Sequence, residues 1–223
     1  MSQKLWNEVD QYLDDTLVQQ DAALAEAITS SDAAGLPSIS VAPSHGKFLH
    51  LLARIQGARR ILEIGTLGGY STIWLARALP PDGRLITLEY DSKHADVASA
   101  NLARAGVADK VDIRIGRALD TLPQIAAERQ APFDLIFIDA DKPSNPDYFR
   151  WALKLSHRGS VIVIDNVIRR GAVIDTNSGD DNIRGVRKMH ELIGAEPRVS
   201  ATAIQTVSVK GYDGFTLALV VDD

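Results

Sequence analysis

Two short apolar segments of the sequence each end in polar residues that could hold an ion. The first, FDLIFIDADK at residues 133–142, contains Asp139 and ends in Lys142, and the second, VIVIDN at residues 161–166, ends in Asp165 and Asn166. Continuous apolar runs of this length are typical of doubly buried parallel strands, and open α/β sheets bind ligands at the carboxyl ends of their strands. We therefore expect both segments to deliver these side chains to one edge of a sheet.

The pair of acids predicts a cation site. Neighbouring strands lie about 4.8 Å apart, so Asp139 and Asp165 would face each other. Two carboxylates roughly 5 Å apart at an effective dielectric of about 20 repel by some 3 kcal/mol, which a proton or a cation must offset. Two carboxylates and the amide oxygen of Asn166, with no Cys or His, favour a hard ion such as Mg²⁺. The alternative is that each Asp merely caps a helix or turn.

Length and composition limit the class of protein. With 223 residues and 45% hydrophobic content, the chain can form one substantial core, as expected of a single α/β domain. A net charge of -5 disfavours nucleic acid as the main partner, and the lack of cysteine excludes disulfides and thiolate metal sites. No apolar run approaches the roughly 20 residues of a membrane span, and the N-terminal segment is too acidic for a signal peptide. A cytoplasmic protein without a membrane partner is expected.

Strand and helix patterns alternate from Arg60 onward, which predicts a mostly parallel sheet with right-handed crossovers. Strands are predicted at residues 61–64, 84–88, 111–115, 135–138 and 161–164. Two β-rich runs, residues 198–209 and 215–221, are separated by the turn-rich segment 211–214 and predict a closing antiparallel hairpin. Amphipathic helices and a loop at residues 38–44 precede the sheet, so we predict one domain, residues 1–223, with an N-terminal helical cap over about residues 1–56.

A glycine-containing turn follows the first predicted strand, in EIGTLGGYS at residues 63–71. Leu67 stands where a dinucleotide fingerprint requires its second glycine, and neither a Walker loop nor a hydrolase elbow matches. Glu89 ends the second strand, where an acid can accept both hydroxyls of a ribose. Glu63 beside the turn would attract an ammonium group. A ligand with a ribose and an amino-acid moiety but no phosphate fits both acids, which points to S-adenosylmethionine; a plain strand-to-helix turn, with Glu89 as a helix cap, is the alternative.

Taken together, these motifs resemble those of the cation-dependent O-methyltransferases, the group that includes catechol and caffeoyl-coenzyme A O-methyltransferases. The resemblance extends over about residues 41–219 and rests on ILEIGT, GGYS, residues 133–142 and IDNV. It implies an α/β, Rossmann-like class I methyltransferase fold with a seven-stranded, mostly parallel sheet, an antiparallel last strand and helices on both faces. It also implies a homodimer.

The resemblance assigns roles to individual residues. It implies that Asp139, Asp165 and Asn166 hold Mg²⁺, or another divalent cation such as Mn²⁺ or Ca²⁺, and that Lys142 is the general base. The positions that it places around the methyl donor are Val41, Glu63, Gly65, Thr66, Ser71, Glu89, Ala118, Asp139 and Asp141. The acceptor would be a phenol with adjacent hydroxyls, like catechol. Arg170 falls where plant enzymes contact substrate but differs in residue type, so the plant substrates do not transfer.

Three other functions remain open from the sequence. A methyltransferase for hydroxylated uridine in tRNA would bind through basic patches at residues 169–170 and 184–188 and would be sensitive to salt. An NAD-dependent oxidoreductase would bind a nicotinamide cofactor at the glycine turn. A non-catalytic donor-binding protein would have no evident use for Asp139, Lys142, Asp165 and Asn166 together.

Overall fold

The computed structural model describes residues 2–222, which form two compact units. The first unit ends at Ala118 and includes Ser208–Lys210, and the second comprises Leu119–Val207 and the chain from Gly211 onward. The predicted single domain with its N-terminal cap stays a prediction, and its two terminal residues lie outside the described part of the chain.

The first unit begins with helices and continues with alternating strands and helices. Its elements are α1 (Gln3–Leu13), a π-helical turn (Asp14–Val18), α2 (Ala22–Ala33), α3 (Pro43–Gln56), β1 (Arg60–Ile64), α4 (Tyr70–Ala78), β2 (Arg84–Glu89), α5 (Ser92–Arg104), a 3₁₀ turn (Ala108–Lys110) and β3 (Val111–Ile115). The three strands pair in parallel, with Ile61 opposite Leu85 and Leu85 opposite Val111. Short β-branched and leucine-rich runs form these strands because they pack on both sheet faces.

Among the N-terminal helices of this unit, α2 has a side-chain cap, and the turn at Ser208–Lys210 holds α1. The side chain of Asp21 caps α2 by accepting from the backbone N–H of Leu24 at 3.0 Å. Asp10 on α1 is buried and accepts from the N–H of Val209 at 2.7 Å. The Nζ of Lys210 donates to the carbonyl of Ser38 at 3.1 Å. One short turn thus holds both α1 and the loop before α3.

The second unit carries the rest of the strands. Its elements are α6 (Ala118–Ala127), which starts at the last residue of the first unit, β4 (Leu135–Ile138), a 3₁₀ turn (Lys142–Ser144), α7 (Asn145–Lys154), β5 (Val161–Asp165), a kinked 3₁₀ segment (Arg169–Ile174), α8 (Asp181–Ala195), β6 (Val199–Ser208) and β7 (Gly211–Val220). β4 and β5 pair in parallel, with Leu135 opposite Val161, and β7 runs antiparallel to β5. The prediction that the two acid-bearing strands are neighbours is therefore confirmed.

The seven strands have the order β3-β2-β1-β4-β5-β7-β6, which confirms the predicted mostly parallel sheet with an antiparallel last strand. β4 and β5 are buried along their whole length, as doubly covered strands require. Within residues 2–222, no helix has the length and apolarity that crossing a membrane would take.

The C-terminal hairpin differs from its prediction in one respect. Residues 211–214 were predicted as a turn, but they are the beginning of β7, and only Val209 and Lys210 separate the strands. A side chain at Gly214 would place its Cβ 2.2 Å from the backbone oxygen of Ile204, so this glycine permits close approach of two strands. The glycine reflects packing rather than a turn.

A glycine on α8 provides a test of the packing in the second unit. A Cβ at Gly185 would lie 2.2 Å from the carbonyl oxygen of Lys142, so Gly185→Ala is expected to destabilise the protein by about 1–3 kcal/mol. Gly194 lies on the same helix with nothing within 4 Å, and Gly194→Ala is expected to stabilise by about 0.5–1 kcal/mol. Urea unfolding of both variants measures the difference. Equal effects would contradict the close contact.

Candidate active site

The structure brings the two predicted metal-binding acids to the same end of neighbouring strands. Ile138 pairs with Ile164, so Asp139 and Asp165 follow at matching positions of β4 and β5. Asp165 is 6% exposed, whereas the side chain of Asp139 is 24% exposed. One acid is thus enclosed in protein, and the other remains reachable from solvent.

Lys142 lies against these acids. It is 6% exposed, and its Nζ donates a hydrogen bond to Oδ1 of Asp139 at 2.9 Å. A buried lysine amine requires a hydrogen-bond acceptor, and Asp139 supplies it. The structure therefore directs the amine of Lys142 at the acid cluster and away from bulk solvent.

The buried carboxyl of Asp165 has a raised pKa. Burial is the largest cause, the charge of Asp139 adds to it, and Lys142 together with the N–H of Asn166 opposes it. Asp213 raises the pKa further. Asp165 therefore keeps its proton more readily than an ordinary carboxyl. A cation bound near Asp139 and Asp165 could take the place of that proton.

Asn166, the third predicted ligand, directly follows Asp165 at the end of β5. Its backbone has φ of +55°, in the left-handed region, and its N–H donates to Oδ1 of Asp165 at 2.8 Å. The left-handed region is open to asparagine more readily than to most residues. Three hard oxygen donors from Asp139, Asp165 and Asn166 suit Mg²⁺ better than a softer metal. No group of three or more His, Cys, Asp or Glu within residues 2–222 could hold a metal ion, so a cation bound here would need a further donor such as an amide oxygen.

In the first unit, Glu89 supports the glycine turn. Its Oε2 accepts from the backbone N–H groups of Thr66 at 3.2 Å and Leu67 at 2.7 Å, and its Oε1 accepts from the N–H of Asp91 at 3.0 Å. The residue is 8% exposed. A carboxylate has about four acceptor positions, and three are used here, with His94 Nδ1 also 3.5 Å from Oε1, so Glu89 mainly holds the turn. Gly65 enters this turn with φ of +103°, which favours glycine.

Glu63 is enclosed by hydroxyl groups. It is 0% exposed, and its two oxygens accept from Ser71 Oγ at 2.6 Å, Thr72 Oγ1 at 2.5 Å and Thr87 Oγ1 at 2.7 Å. Thr87 in turn shares a 2.6 Å hydrogen bond with Thr66. Glu63 thus fixes the start of α4 and the glycine turn. Sequence reasoning missed Thr72 and Thr87, because a threonine in a helix or strand carries no signal of its partner.

The remaining predicted donor contacts lie at three different places. Val41 is 8% exposed and lines a cavity of about 340 Å³ in the first unit, together with Tyr70 and Lys210. Ala118 is the first residue of α6. Asp141 accepts from the N–H of Ser144 at 3.3 Å and from the hydroxyl of Tyr148, a contact that the sequence did not indicate.

Most of this chain matches a known protein family. The family described as O-methyltransferase matches residues 14–221. The chain belongs to the O-methyltransferase family. This result confirms the resemblance drawn from the sequence motifs.

Individual relatives of this O-methyltransferase cover almost its whole length. It is 54% identical to a catechol O-methyltransferase of Niastella koreensis, over 99% of this chain and 100% of that protein. It is 57% identical to a catechol O-methyltransferase of Mycobacterium tuberculosis, over 96% of this chain and 95% of that protein.

Solved structures of similar proteins share the fold. An O-methyltransferase from Bacillus cereus, in complex with SAH, superimposes with a TM-score of 0.97 at 58% identity, over 98% of this chain and 100% of that one. The O-methyltransferase TomG from Streptomyces achromogenes, involved in tomaymycin synthesis and in complex with SAM, has a TM-score of 0.96 at 54% identity, over 99% of each chain. The predicted Rossmann-like class I methyltransferase fold is confirmed.

Proposed function

We propose that this O-methyltransferase transfers a methyl group from S-adenosylmethionine to one hydroxyl of a catechol-like phenol held by a divalent cation. The observation that carries the proposal is the cluster of Asp139, Lys142, Asp165 and Asn166, in which two acids follow or end neighbouring strands and one of them bonds a buried lysine. The names of two relatives as catechol O-methyltransferases support the acceptor class.

The donor set fits a hard cation. Asp139, Asp165 and Asn166 would hold Mg²⁺ through oxygen atoms, and burial, together with the charge of Asp139, raises the pKa of the Asp165 carboxyl. Glu89, with Thr66 and the glycine turn, would hold the ribose side of the donor, and Ser71, Val41, Ala118 and Asp141 would line the rest. The SAH and SAM complexes of two similar structures support this donor.

The residues of the chain then have separate tasks in the reaction. When bound, the cation supplies charge that orients and acidifies the acceptor hydroxyl, and the donor supplies an electrophilic methyl group. In this step Lys142 would enter as the neutral amine and accept the hydroxyl proton at Nζ. Asp139 holds that nitrogen at 2.9 Å, and the same contact stabilises the ammonium ion that results. Positioning of the two reactants supplies the rest of the acceleration.

A methyl-transfer screen tests the proposal. Vicinal diphenols, matched monophenols, coenzyme A esters of the diphenols and cellular tRNA that contains hydroxylated uridine are incubated with S-adenosylmethionine, with and without Mg²⁺, and methylated products are measured by mass spectrometry. Only vicinal diphenols or their esters should react, and only with the ion present, whereas the matched monophenols should not. Methylation of tRNA alone would support the uridine alternative, and binding of NAD without binding of S-adenosylhomocysteine would support the oxidoreductase alternative.

Glu89 is expected to control donor affinity. Glu89→Ala removes hydrogen bonds to a charged acceptor and loosens the turn at Thr66 and Leu67, so affinity for S-adenosylhomocysteine should fall about 10- to 100-fold. Calorimetric titration measures the change. Asp91→Ala is the matched control, because Asp91 caps α5 and its loss should cost about 1 kcal/mol of stability with unchanged donor affinity. Equal loss of affinity in both variants would contradict the role of Glu89.

We also propose a homodimer, with β6 as part of its interface. β6 is an edge strand of ten residues, of which all but the first and last are exposed, and it presents Ile204 and Val207 at 46% and 48% exposure. An exposed apolar edge strand favours pairing with a second chain. The family resemblance supports a second copy as the partner. The cytoplasmic location expected from the sequence stays a prediction.

Charge on this edge should separate the subunits. Val207→Lys is expected to lower the mass measured by light scattering from twice 24.2 kDa toward 24.2 kDa, because a buried lysine at a strand edge is costly. Ile115→Lys on β3, the opposite edge of the sheet, is the control and should leave the mass unchanged. A wild-type protein of 24.2 kDa would contradict the dimer.

A further inference from the structure

We infer that Asp213 is a positioning residue for the metal site, because it holds the backbone segment that carries Asn166. This inference rests on the proposed function, in which Asn166 is a ligand of the cation. Asp213 is not itself placed among the ligands. Its role follows from the hydrogen bonds that its side chain makes to the segment Asn166–Gly171, called here the β5 loop.

The β5 loop has an unusual backbone. Asn166, Arg169 and Arg170 have φ of +55°, +54° and +56°, and Gly171 has φ of +87°. Side chains other than glycine rarely adopt the left-handed region, so the surroundings must hold this conformation in place. Without such support the loop would move to more populated backbone angles and carry Asn166 with it.

One oxygen of Asp213 provides that support. Oδ1 accepts from the backbone N–H of Ile168 at 2.9 Å, of Arg169 at 3.0 Å and of Gly214 at 3.0 Å. An ionised carboxylate is a stronger acceptor than a neutral group, so the three bonds are charge-assisted. Asp213 therefore fixes the loop two and three residues beyond Asn166.

The position of Asp213 is itself fixed by the sheet. Asp165 pairs with Phe215 across β5 and β7, and the N–H of Val167 donates to the carbonyl of Gly214 at 3.0 Å. Gly214 packs closely against Ile204, since a Cβ added to Gly214 would lie 2.2 Å from the backbone oxygen of Ile204. β7 thus presents Asp213 rigidly to the loop, and groups that orient a metal ligand in this way are worth about 10- to 100-fold in metal affinity.

Two measurements on metal-free protein test the inference, and neither depends on catalysis. The first is backbone hydrogen exchange in the β5 loop, and the second is the affinity for Mn²⁺ alone, followed by electron paramagnetic resonance. Asp213→Ala should accelerate exchange at Ile168 and Arg169 and weaken Mn²⁺ binding about tenfold. Asp213→Asn keeps an oxygen acceptor and should stay close to wild type in both. Asp147→Ala removes an exposed ion pair with Arg150 on α7, outside the loop, and should change neither.

The outcomes separate this inference from the proposed function. Wild-type exchange or wild-type Mn²⁺ affinity in Asp213→Ala would overturn the role of Asp213 alone. Slow exchange with weak Mn²⁺ binding in Asp213→Asn would show that charge rather than position matters, and would also overturn it. A wild-type protein that binds no Mn²⁺ would overturn the proposed metal site and this inference with it.

Discussion

Replacement of Lys142 by alanine is expected to lower kcat for methyl transfer about 10²- to 10⁴-fold, the usual contribution of a general base. The reason lies in its placement, since Lys142 is 6% exposed and its Nζ is held by Asp139 at 2.9 Å. Steady-state kinetics with a vicinal diphenol at saturating Mg²⁺ measures the effect. Calorimetric titration with S-adenosylhomocysteine is the control, since a fall in kcat at saturating donor then reports the lost base.

Lys142→Arg separates the proton-accepting role from the charge. Arginine keeps a positive charge beside Asp139, but its guanidinium does not lose a proton in proteins, so it cannot act as a base. We expect Lys142→Arg to be as slow as Lys142→Ala, with Mg²⁺ affinity closer to that of wild type. Substantial turnover in Lys142→Arg would show that charge alone is sufficient.

Removal of divalent cations is expected to lower turnover by about three orders of magnitude, because a metal Lewis acid contributes several kcal/mol to such a reaction. Activity should return on titration with Mg²⁺. Calorimetry with S-adenosylhomocysteine in the chelated protein provides the control, since donor affinity should persist. Full activity after exhaustive chelation would contradict the role of Asp139, Asp165 and Asn166.

The metal-free protein should also lose stability as pH rises. The pKa of Asp165 is raised in the folded state by burial and by Asp139, so the folded protein favours the neutral carboxyl. The unfolded chain ionises near the ordinary value of 3.8, and stability therefore falls as pH rises from that value through the raised pKa. Mg²⁺ should raise Tm more at alkaline pH than at acidic pH. Asp165→Asn, which cannot ionise, should remove this dependence.

The strands that carry the site could be predicted because their sequences are strongly patterned. Leu-Ile-Phe-Ile before Asp139 and Val-Ile-Val-Ile before Asp165 contain no polar residue, and burial on both faces leaves few alternatives. Predicted and observed boundaries of β3 and β4 agree, and β5 is longer by Asp165 alone. The pattern thus fixed both the elements and the edge at which their acids meet.

The contacts between distant segments could not be predicted in this way. Asp213 lies 44 and 45 residues from the backbone groups of Arg169 and Ile168 that it holds, and its neighbours Gly211 and Gly214 suggested a turn. Similarly, nothing local distinguishes Thr87 as a donor to Glu63. Such contacts depend on strand register, which a hydrophobic pattern specifies only after the strand order is known.

The turn at Ser208–Lys210 has a consequence for access to the cavity in the first unit. The turn is bonded to Asp10 and to the carbonyl of Ser38, and Val209, Lys210 and Ser38 all line the cavity wall. Fraying of α1 would remove the hydrogen bond between Asp10 and the turn. Both the turn and Ser38, which line the cavity, would then be held less firmly. Limited proteolysis near the N terminus is therefore expected to widen entry to this cavity.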